Sequence, residues 1–187
     1  MNRSALVFTP TGKVRAGWRA LLFCIIAAGL YRLAYLLIYL IGPPASRALF
    51  QLEVYLVLLA CMWLAHYVML RWVDHDSWSY VGLGRENLTP RLAGLGLSLG
   101  ALCILVPSGT LLVAHDVTIV TGLQGARSWL QLAAAGALLF LPQSLMEELM
   151  SRGYLFSALR DAFGWVGALA ATSLGFGLLH YANPGAN

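Results

Sequence analysis

Two glutamates and a histidine lie where the second half of the sequence is otherwise apolar. Glu147, Glu148 and Arg152 come at the end of one apolar run, and Phe176 and His180 lie in the next. An ionisable side chain at membrane depth costs about 2.5 to 3.5 kcal/mol on insertion scales, so such groups are usually kept for a function. Carboxylates and imidazoles transfer protons in hydrolytic reactions. The sequence therefore predicts an acid–base site inside a membrane.

The spacing of the acidic pair gives its two carboxylates different surroundings. On a helix, Glu148 and Arg152 are four residues apart and share a face, so they can form an ion pair. Glu147 points about 100° away from Glu148 and is available for other contacts. We therefore expect Glu147 to act as the general base that takes a proton from water, with Glu148 held by Arg152.

The second part of the site lies one apolar run later. Phe176 and His180 are one helical turn apart and share a face. A chain reversal between residues 161 and 164 would make this helix antiparallel to the preceding one and turn His180 toward the bundle interior. Simple counting nevertheless places His180 near the opposite membrane end from Glu147, and periodicity alone does not resolve this.

A divalent metal such as Zn²⁺ is a second option for this site. Two glutamates and one histidine could bind zinc, and Glu147 and His180 would then be the expected ligands. The sequence has no His-Glu-x-x-His motif, however. The residues therefore favour metal-independent glutamate chemistry, and a divalent metal such as Zn²⁺ stays the open alternative.

The composition indicates the elements that must position these residues. Hydrophobic residues make up 59% of the chain and charged residues 11%, against about 25% charged in soluble domains. We expect an all-α, polytopic transmembrane helical bundle that forms a single domain over 1–187, with no separate soluble domain and no nucleic-acid partner. The glycines of the third apolar run predict a helix packed closely in that bundle. The expected spans lie near 20–42, 51–70, 92–114, 129–149 and 164–180.

The basic residues predict the orientation of the bundle. Nine of them lie before the first span or in the loops after the second and fourth spans, and two lie in the loops on the opposite side. This positive-inside asymmetry predicts a cytoplasmic amino terminus. The nine are Arg3, Lys13, Arg15, Arg19, Arg71, Arg85, Arg91, Arg152 and Arg160, and the two are Arg47 and Arg127.

The other polar residues do not form a recognisable catalytic or metal-binding pattern in the sequence. The segment 74–76, Asp-His-Asp, is interpreted as a solvated loop, because no further ligand lies nearby in sequence. No role is assigned to His66 or His115. The three cysteines are interpreted as small buried hydrophobic residues, because no Cys-x-x-Cys spacing occurs.

The order Glu-Glu-x-x-x-Arg and then Phe-x-x-x-His, on consecutive apolar helices, resembles the CPBP family of intramembrane proteases. That family contains the type II CAAX prenyl endopeptidases and the bacterial Abi, or bacteriocin self-immunity, proteins. The similar segment runs from about 141 to 184, and the string from Glu147 to Phe156 fits it as well. The resemblance implies that Glu147 activates water, that Glu148 and Arg152 organise the site, and that His180 positions water or metal. Phe176 would contact the substrate.

The resemblance also implies a cellular setting and a substrate class. We expect a multi-pass protein of the bacterial inner membrane that hydrolyses a peptide bond at a membrane-embedded site. Its partners would be membrane lipid and a peptide or protein, such as a prenylated or lipid-proximal tail. The family has a further motif on a later helix, a histidine followed four residues on by asparagine, which is absent up to Asn187. We therefore expect a carboxy-terminally truncated member, incomplete after the protease-like segment 129–187, or one without proteolytic competence.

Two alternatives stay open. The first is a non-catalytic membrane scaffold or immunity-type protein of the same family, which binds a partner and cleaves nothing. The second is a proton-linked transporter, because intramembrane carboxylates also serve as proton relays. The absence of internal repeats weakens the transporter hypothesis.

Overall fold

The computed structural model describes residues 4–42, 46–118 and 125–181, and these ranges form a helical bundle. One isolated antiparallel bridge, between Phe8 and Val14, is the β-type pairing in the described residues. The predicted all-α class is confirmed. The helices are α1 (Ser4–Val7), α2 (Ala16–Ile41), α3 (Arg47–Val68), α4 (Pro90–Val113), α5 (Ala126–Arg152) and α6 (Tyr154–Tyr181).

Within the described residues, four helical stretches are long and apolar enough to cross a membrane, namely Ala16–Ile41, Arg47–Asp74, Pro90–Val113 and Ala126–Tyr181. The last has 56 residues, whereas a single crossing needs about 20. It is divided at Gly153, which ends α5, and at Gly164, whose φ of 70° lies outside the helical region. This stretch therefore contains both the fourth and the fifth predicted runs.

The buried core occupies one end of the bundle. It joins the first turns of α2 to the last turns of α3 and the junction between α5 and α6. Large apolar side chains elsewhere on the helices are exposed, as expected for surfaces that contact lipid rather than water. Of the cysteines interpreted as buried, Cys61 is buried, but Cys24 and Cys103 are exposed. The core residues are Phe23, Ala27, Met62, Ala65, Met69, Leu70, Val81, Leu149, Tyr154 and Ala158.

The segment between α3 and α4 folds back over this core. A π-helical turn, Met69–Asp74, continues α3 and ends where His75 adopts a left-handed conformation with φ of 54°. Two short 3₁₀ helices follow, Trp78–Val81 and Arg85–Asn87. Thr89 then caps α4 by accepting a 3.3 Å hydrogen bond from the Leu92 amide, which satisfies one of the first unpaired amides of that helix.

Helix α4 differs from the sequence-based expectation. Its glycines predicted close packing, but no residue of α4 is buried. A Cβ placed at Gly94, Gly96 or Gly100 would meet nothing within 4 Å. The prediction of a packed third span is therefore wrong for the described part of the chain, because small residues permit close approach of a neighbour without supplying one.

A short hairpin precedes α2. The Phe8–Val14 bridge closes it, and the Thr9 amide donates to the Lys13 carbonyl at 2.7 Å. The indole Nε1 of Trp18 donates to the Leu6 carbonyl at 3.1 Å. These bonds fasten the amino-terminal segment to the first turn of α2.

Candidate functional site

The acidic pair lies in the last two turns of α5, as the sequence predicts. Arg152 Nη1 donates to Glu148 Oε1, and both side chains are more than half exposed. The pair therefore lies on the outer surface of the bundle, and an exposed pair of this kind stabilises a fold little. Its effect is to fix the orientation of the Glu148 carboxylate at the end of the helix.

Glu147 has separate surroundings. It is half-buried, and its Oε1 accepts a 3.0 Å hydrogen bond from the Gln143 amide nitrogen one turn earlier. In the described part of the chain Glu147 makes no ion pair. A neutral amide positions a carboxylate without neutralising its charge, so this group can still accept a proton.

The turn that follows the acidic pair depends on a glycine and a buried histidine. A Cβ at Gly153 would lie 2.2 Å from His66 Nε2 and 2.4 Å from the Leu149 carbonyl. His66 is fully buried; it donates from Nδ1 to the Met62 carbonyl at 2.7 Å and accepts at Nε2 from the Tyr154 amide at 2.9 Å. Because an amide can only donate, Nε2 carries no proton and His66 is neutral. Sequence analysis assigned this residue no role.

His180 lies in the last turn of α6 and is exposed. Its Nδ1 donates to the Phe176 carbonyl at 3.0 Å, and the two rings are 4.2 Å apart between centroids. In the neutral imidazole, donation from Nδ1 leaves the Nε2 lone pair available to orient water. No hydrogen bond joins His180 to Glu147 in the described residues.

A cavity of about 410 Å³ lies between the end of α5 and the later part of α6. Ser151, one turn beyond Glu147, shares it with Phe176 and with Leu179, which precedes His180. The last turns of α5 and α6 therefore border one space, although neither Glu147 nor His180 is among its lining residues. Its lining comprises Met150, Ser151, Leu155, Leu159, Ala171, Thr172, Gly175, Phe176, Leu178 and Leu179.

The described residues contain no group of three His, Cys, Asp or Glu side chains that could hold a metal ion. Glu147 and His180 alone do not form a complete donor set for zinc, which takes three or four protein ligands. The residues of this site in the described part of the chain therefore do not fit zinc.

The most extensive polar network lies beside the core, where sequence analysis expected none. Arg19 and Asp74 form a 2.8 Å ion pair whose side chains are each 4% exposed. Arg19 also contacts Asp161 at 3.0 Å. The hydroxyls of Tyr80 and Tyr154 accept from Arg19 at 2.6 and 3.2 Å, and they donate to Asp161 and Asp74 respectively. We call these five residues the Arg19 network.

The Arg19 network connects α2, the π-helical turn after α3, the first 3₁₀ helix and α6. Charges this deeply buried are tolerated only when each is paired and hydrogen-bonded, and the tyrosine hydroxyls supply the additional bonds. The solvated loop expected at 74–76 is therefore wrong for Asp74. Sequence spacing could not reveal the network, because 142 positions separate Arg19 from Asp161. The available signal was an arginine in the first turn of an apolar helix.

The similarity to a known protein family lies in the carboxy-terminal part of the chain. Residues 128–187 match the family described as Rce1-like, type II CAAX prenyl endopeptidase Rce1-like. This match contains both predicted motifs and confirms the family resemblance inferred from them. Within it, 182–187 lie outside the described residues. No curated protein and no solved structure matches the chain.

Proposed function

Since residues 128–187 match the type II CAAX prenyl endopeptidase Rce1-like family, we propose that this protein is an intramembrane endopeptidase. One observation carries the proposal: within the matched segment, Glu147 is half-buried and held by a neutral amide, whereas Glu148 is paired with Arg152. In this proposal Glu147 transfers protons, and Glu148 has a structural role.

In the proposed reaction, Glu147 takes a proton from a water molecule as the water oxygen attacks the scissile carbonyl carbon. The new C–O bond gives a tetrahedral intermediate with negative charge on the former carbonyl oxygen. The C–N bond then breaks, and the protonated Glu147 gives its proton to the departing nitrogen. General acid–base catalysis of this kind contributes about 10²- to 10⁴-fold to a rate.

The remaining site residues have supporting roles in this proposal. The Nε2 lone pair of His180 accepts a hydrogen bond from the attacking water, and the Nδ1 bond to the Phe176 carbonyl fixes the ring. Arg152 holds Glu148 at the end of α5. The largely apolar cavity beside Phe176 receives the lipid-proximal part of a peptide or protein substrate, for which a prenylated tail is one candidate.

The proposed setting is a bilayer, with the amino terminus and the acidic pair on the cytoplasmic side. The distribution of arginine and lysine supports this orientation. A bacterial inner membrane fits the same pattern.

The experiment is a cleavage assay with the full chain in liposomes, using a peptide with a prenylated cysteine near its carboxy terminus and the same peptide without the prenyl group. We expect the wild type to cleave the prenylated peptide and Glu147→Gln to lose at least about 10²-fold in rate. The matched control is Glu53→Gln, which alters another half-buried glutamate, on α3, outside the matched segment.

Two results would count against the proposal. Cleavage retained by Glu147→Gln would show that this carboxylate is not the general base. A folded wild type that cleaves neither peptide, but captures a protein partner as well as the Glu147→Gln variant does, would favour the scaffold alternative.

A further inference from the structure

A second cavity, of about 710 Å³, opens where the amino-terminal hairpin meets α2. It is separate in its lining from the cavity beside Phe176. Its walls come from α1, the hairpin that follows it, the first turns of α2, and residues 161–162 of α6. The lining residues are Leu6, Thr9, Thr11, Lys13, Val14, Arg15, Ala16, Gly17, Trp18, Arg19, Leu21, Asp161 and Ala162.

The charge of this lining is positive. Lys13 and Arg15 are its exposed cations, Asp161 is the one acidic residue of the lining, and Arg19 is buried and paired with Asp74 and Asp161. Asp161 already accepts from Arg19 at 3.0 Å and from the Tyr80 hydroxyl at 2.7 Å. Lys13 and Arg15 are both exposed, so a positive field extends over the opening. An anion is the complementary ligand.

The apolar part of the lining indicates which kind of anion fits. Leu6, Trp18 and Leu21 are 55%, 48% and 49% exposed. Leu6 lies in α1. Trp18 and Leu21 lie in the first turns of α2, where an apolar helix begins after a basic segment, as is typical of a bilayer interface. The tryptophan is anchored by its bond to the Leu6 carbonyl. Cations thus lie beside an apolar surface, the combination that a lipid phosphate and the start of its acyl chains would contact.

We propose that this cavity binds the head group of an anionic phospholipid. The phosphate contacts Lys13 and Arg15, and the upper part of an acyl chain lies against Trp18 and Leu21. Basic pockets beside membrane helices bind anionic head groups in this way. A soluble phosphate would use the cations but leave the apolar surface uncovered. The proposal stands independently of the peptidase activity, because the side chains that would contact the lipid, Lys13, Arg15, Trp18 and Leu21, lie outside 128–187.

The test measures lipid binding to the purified full chain in neutral detergent, with phosphatidylglycerol and phosphatidylcholine as probes. The variant Lys13→Gln/Arg15→Gln removes two cations from the cavity. The control Arg85→Gln/Arg91→Gln removes two exposed arginines near the start of α4. We expect the first variant to bind phosphatidylglycerol at least about tenfold more weakly than the wild type, and the control less than about twofold more weakly. Phosphatidylcholine should bind weakly to all three chains.

Three outcomes would overturn the proposal. Equal weakening in the two double variants would show general attraction to a basic surface. Equal affinity for phosphatidylcholine would show that charge is not recognised. Inorganic phosphate or glycerol phosphate binding as tightly as the lipid would identify a soluble anion as the ligand. If the double variant does not fold, Lys13→Gln alone gives the same comparison against Arg85→Gln, because Lys13 lies in an exposed part of the hairpin.

Discussion

The imidazole of His66 and the backbone of Tyr154 are joined by a 2.9 Å hydrogen bond from the Tyr154 amide to Nε2. The bond spans 88 positions of sequence and satisfies one of the first amides of α6, which has no acceptor within its own helix. Through it, α3 holds the junction between the helix that carries Glu147 and the helix that carries His180.

We expect His66→Asn to destabilise the protein by about 2 to 3 kcal/mol, because it vacates part of the core and leaves a buried amide unpaired. The measurement is the free energy of unfolding in detergent. The control is His115→Asn, at an exposed position with φ of 61° that asparagine tolerates. Equal effects of the two substitutions would contradict a specific role for the His66 bond.

Gly153→Ala should also destabilise the chain, by about 1 to 3 kcal/mol, because the added methyl group overlaps His66 and the Leu149 carbonyl. Gly136→Ala is the matched control within α5, since its Cβ would meet Phe140 at an ordinary 3.9 Å. There alanine should be neutral or stabilising by up to about 1 kcal/mol. Thermal unfolding of both variants measures the difference, and an unaffected Gly153→Ala would refute the close packing.

The two aspartates of the Arg19 network should contribute differently to the free energy of unfolding. Asp74 is 4% exposed and Asp161 is 38% exposed. Asp74→Asn should cost about 3 to 5 kcal/mol, because it breaks a buried ion pair. Asp161→Asn should cost about 1 kcal/mol, as for pairs that water reaches. Denaturant unfolding of both variants measures these losses. A larger loss for Asp161→Asn than for Asp74→Asn would mean that burial does not determine how much each ion pair stabilises the protein.

Tyr80 provides a pH-dependent signal from the same network. Burial, and then its hydrogen bond to Asp161, raise the pKa of Tyr80 above the ordinary value for tyrosine. Because this pKa is higher in the folded state, protonated Tyr80 stabilises the fold. That stabilisation is complete below about pH 10 and is lost as the pH rises further. The free energy of unfolding should therefore fall more steeply above about pH 10 in the wild type than in Tyr80→Phe. Parallel curves would contradict the prediction.

The cavity beside Phe176 can be filled without disturbing the core. Gly175 lines it, Gly177 does not, and a Cβ at either position meets nothing within 4 Å. If the cavity receives substrate, Gly175→Leu should lower kcat/KM for peptide cleavage by about tenfold or more, whereas Gly177→Leu should change it less than about twofold. Both chains should unfold at similar temperatures. Equal kinetic effects would place substrate elsewhere.

Much of the fold followed from apolar run length. Each of the five predicted runs lies within or nearly within one observed helix, because about 20 apolar residues permit little else in a bilayer. The Glu148–Arg152 pair was predictable for the same local reason, since its two members are one helical turn apart. The division of the long stretch at Gly153 and Gly164 followed less directly, because glycine is common inside membrane helices.

The tertiary contacts were not predictable from spacing. Arg19 was counted as a charge preceding the first span, and His66 was assigned nothing, yet both are buried against residues of α6. Each has at least one partner more than 80 positions away. Periodicity describes one helix at a time and contains no information on which face meets which neighbour.

The unburied surface of α4 has a consequence for natural variation. Because no described neighbour shapes this helix, leucine, isoleucine, valine and phenylalanine are interchangeable there as long as the segment stays soluble in lipid. Homologous chains should therefore diverge rapidly in sequence along Pro90–Val113 while this segment stays hydrophobic. They should retain the individual side chains of the buried core.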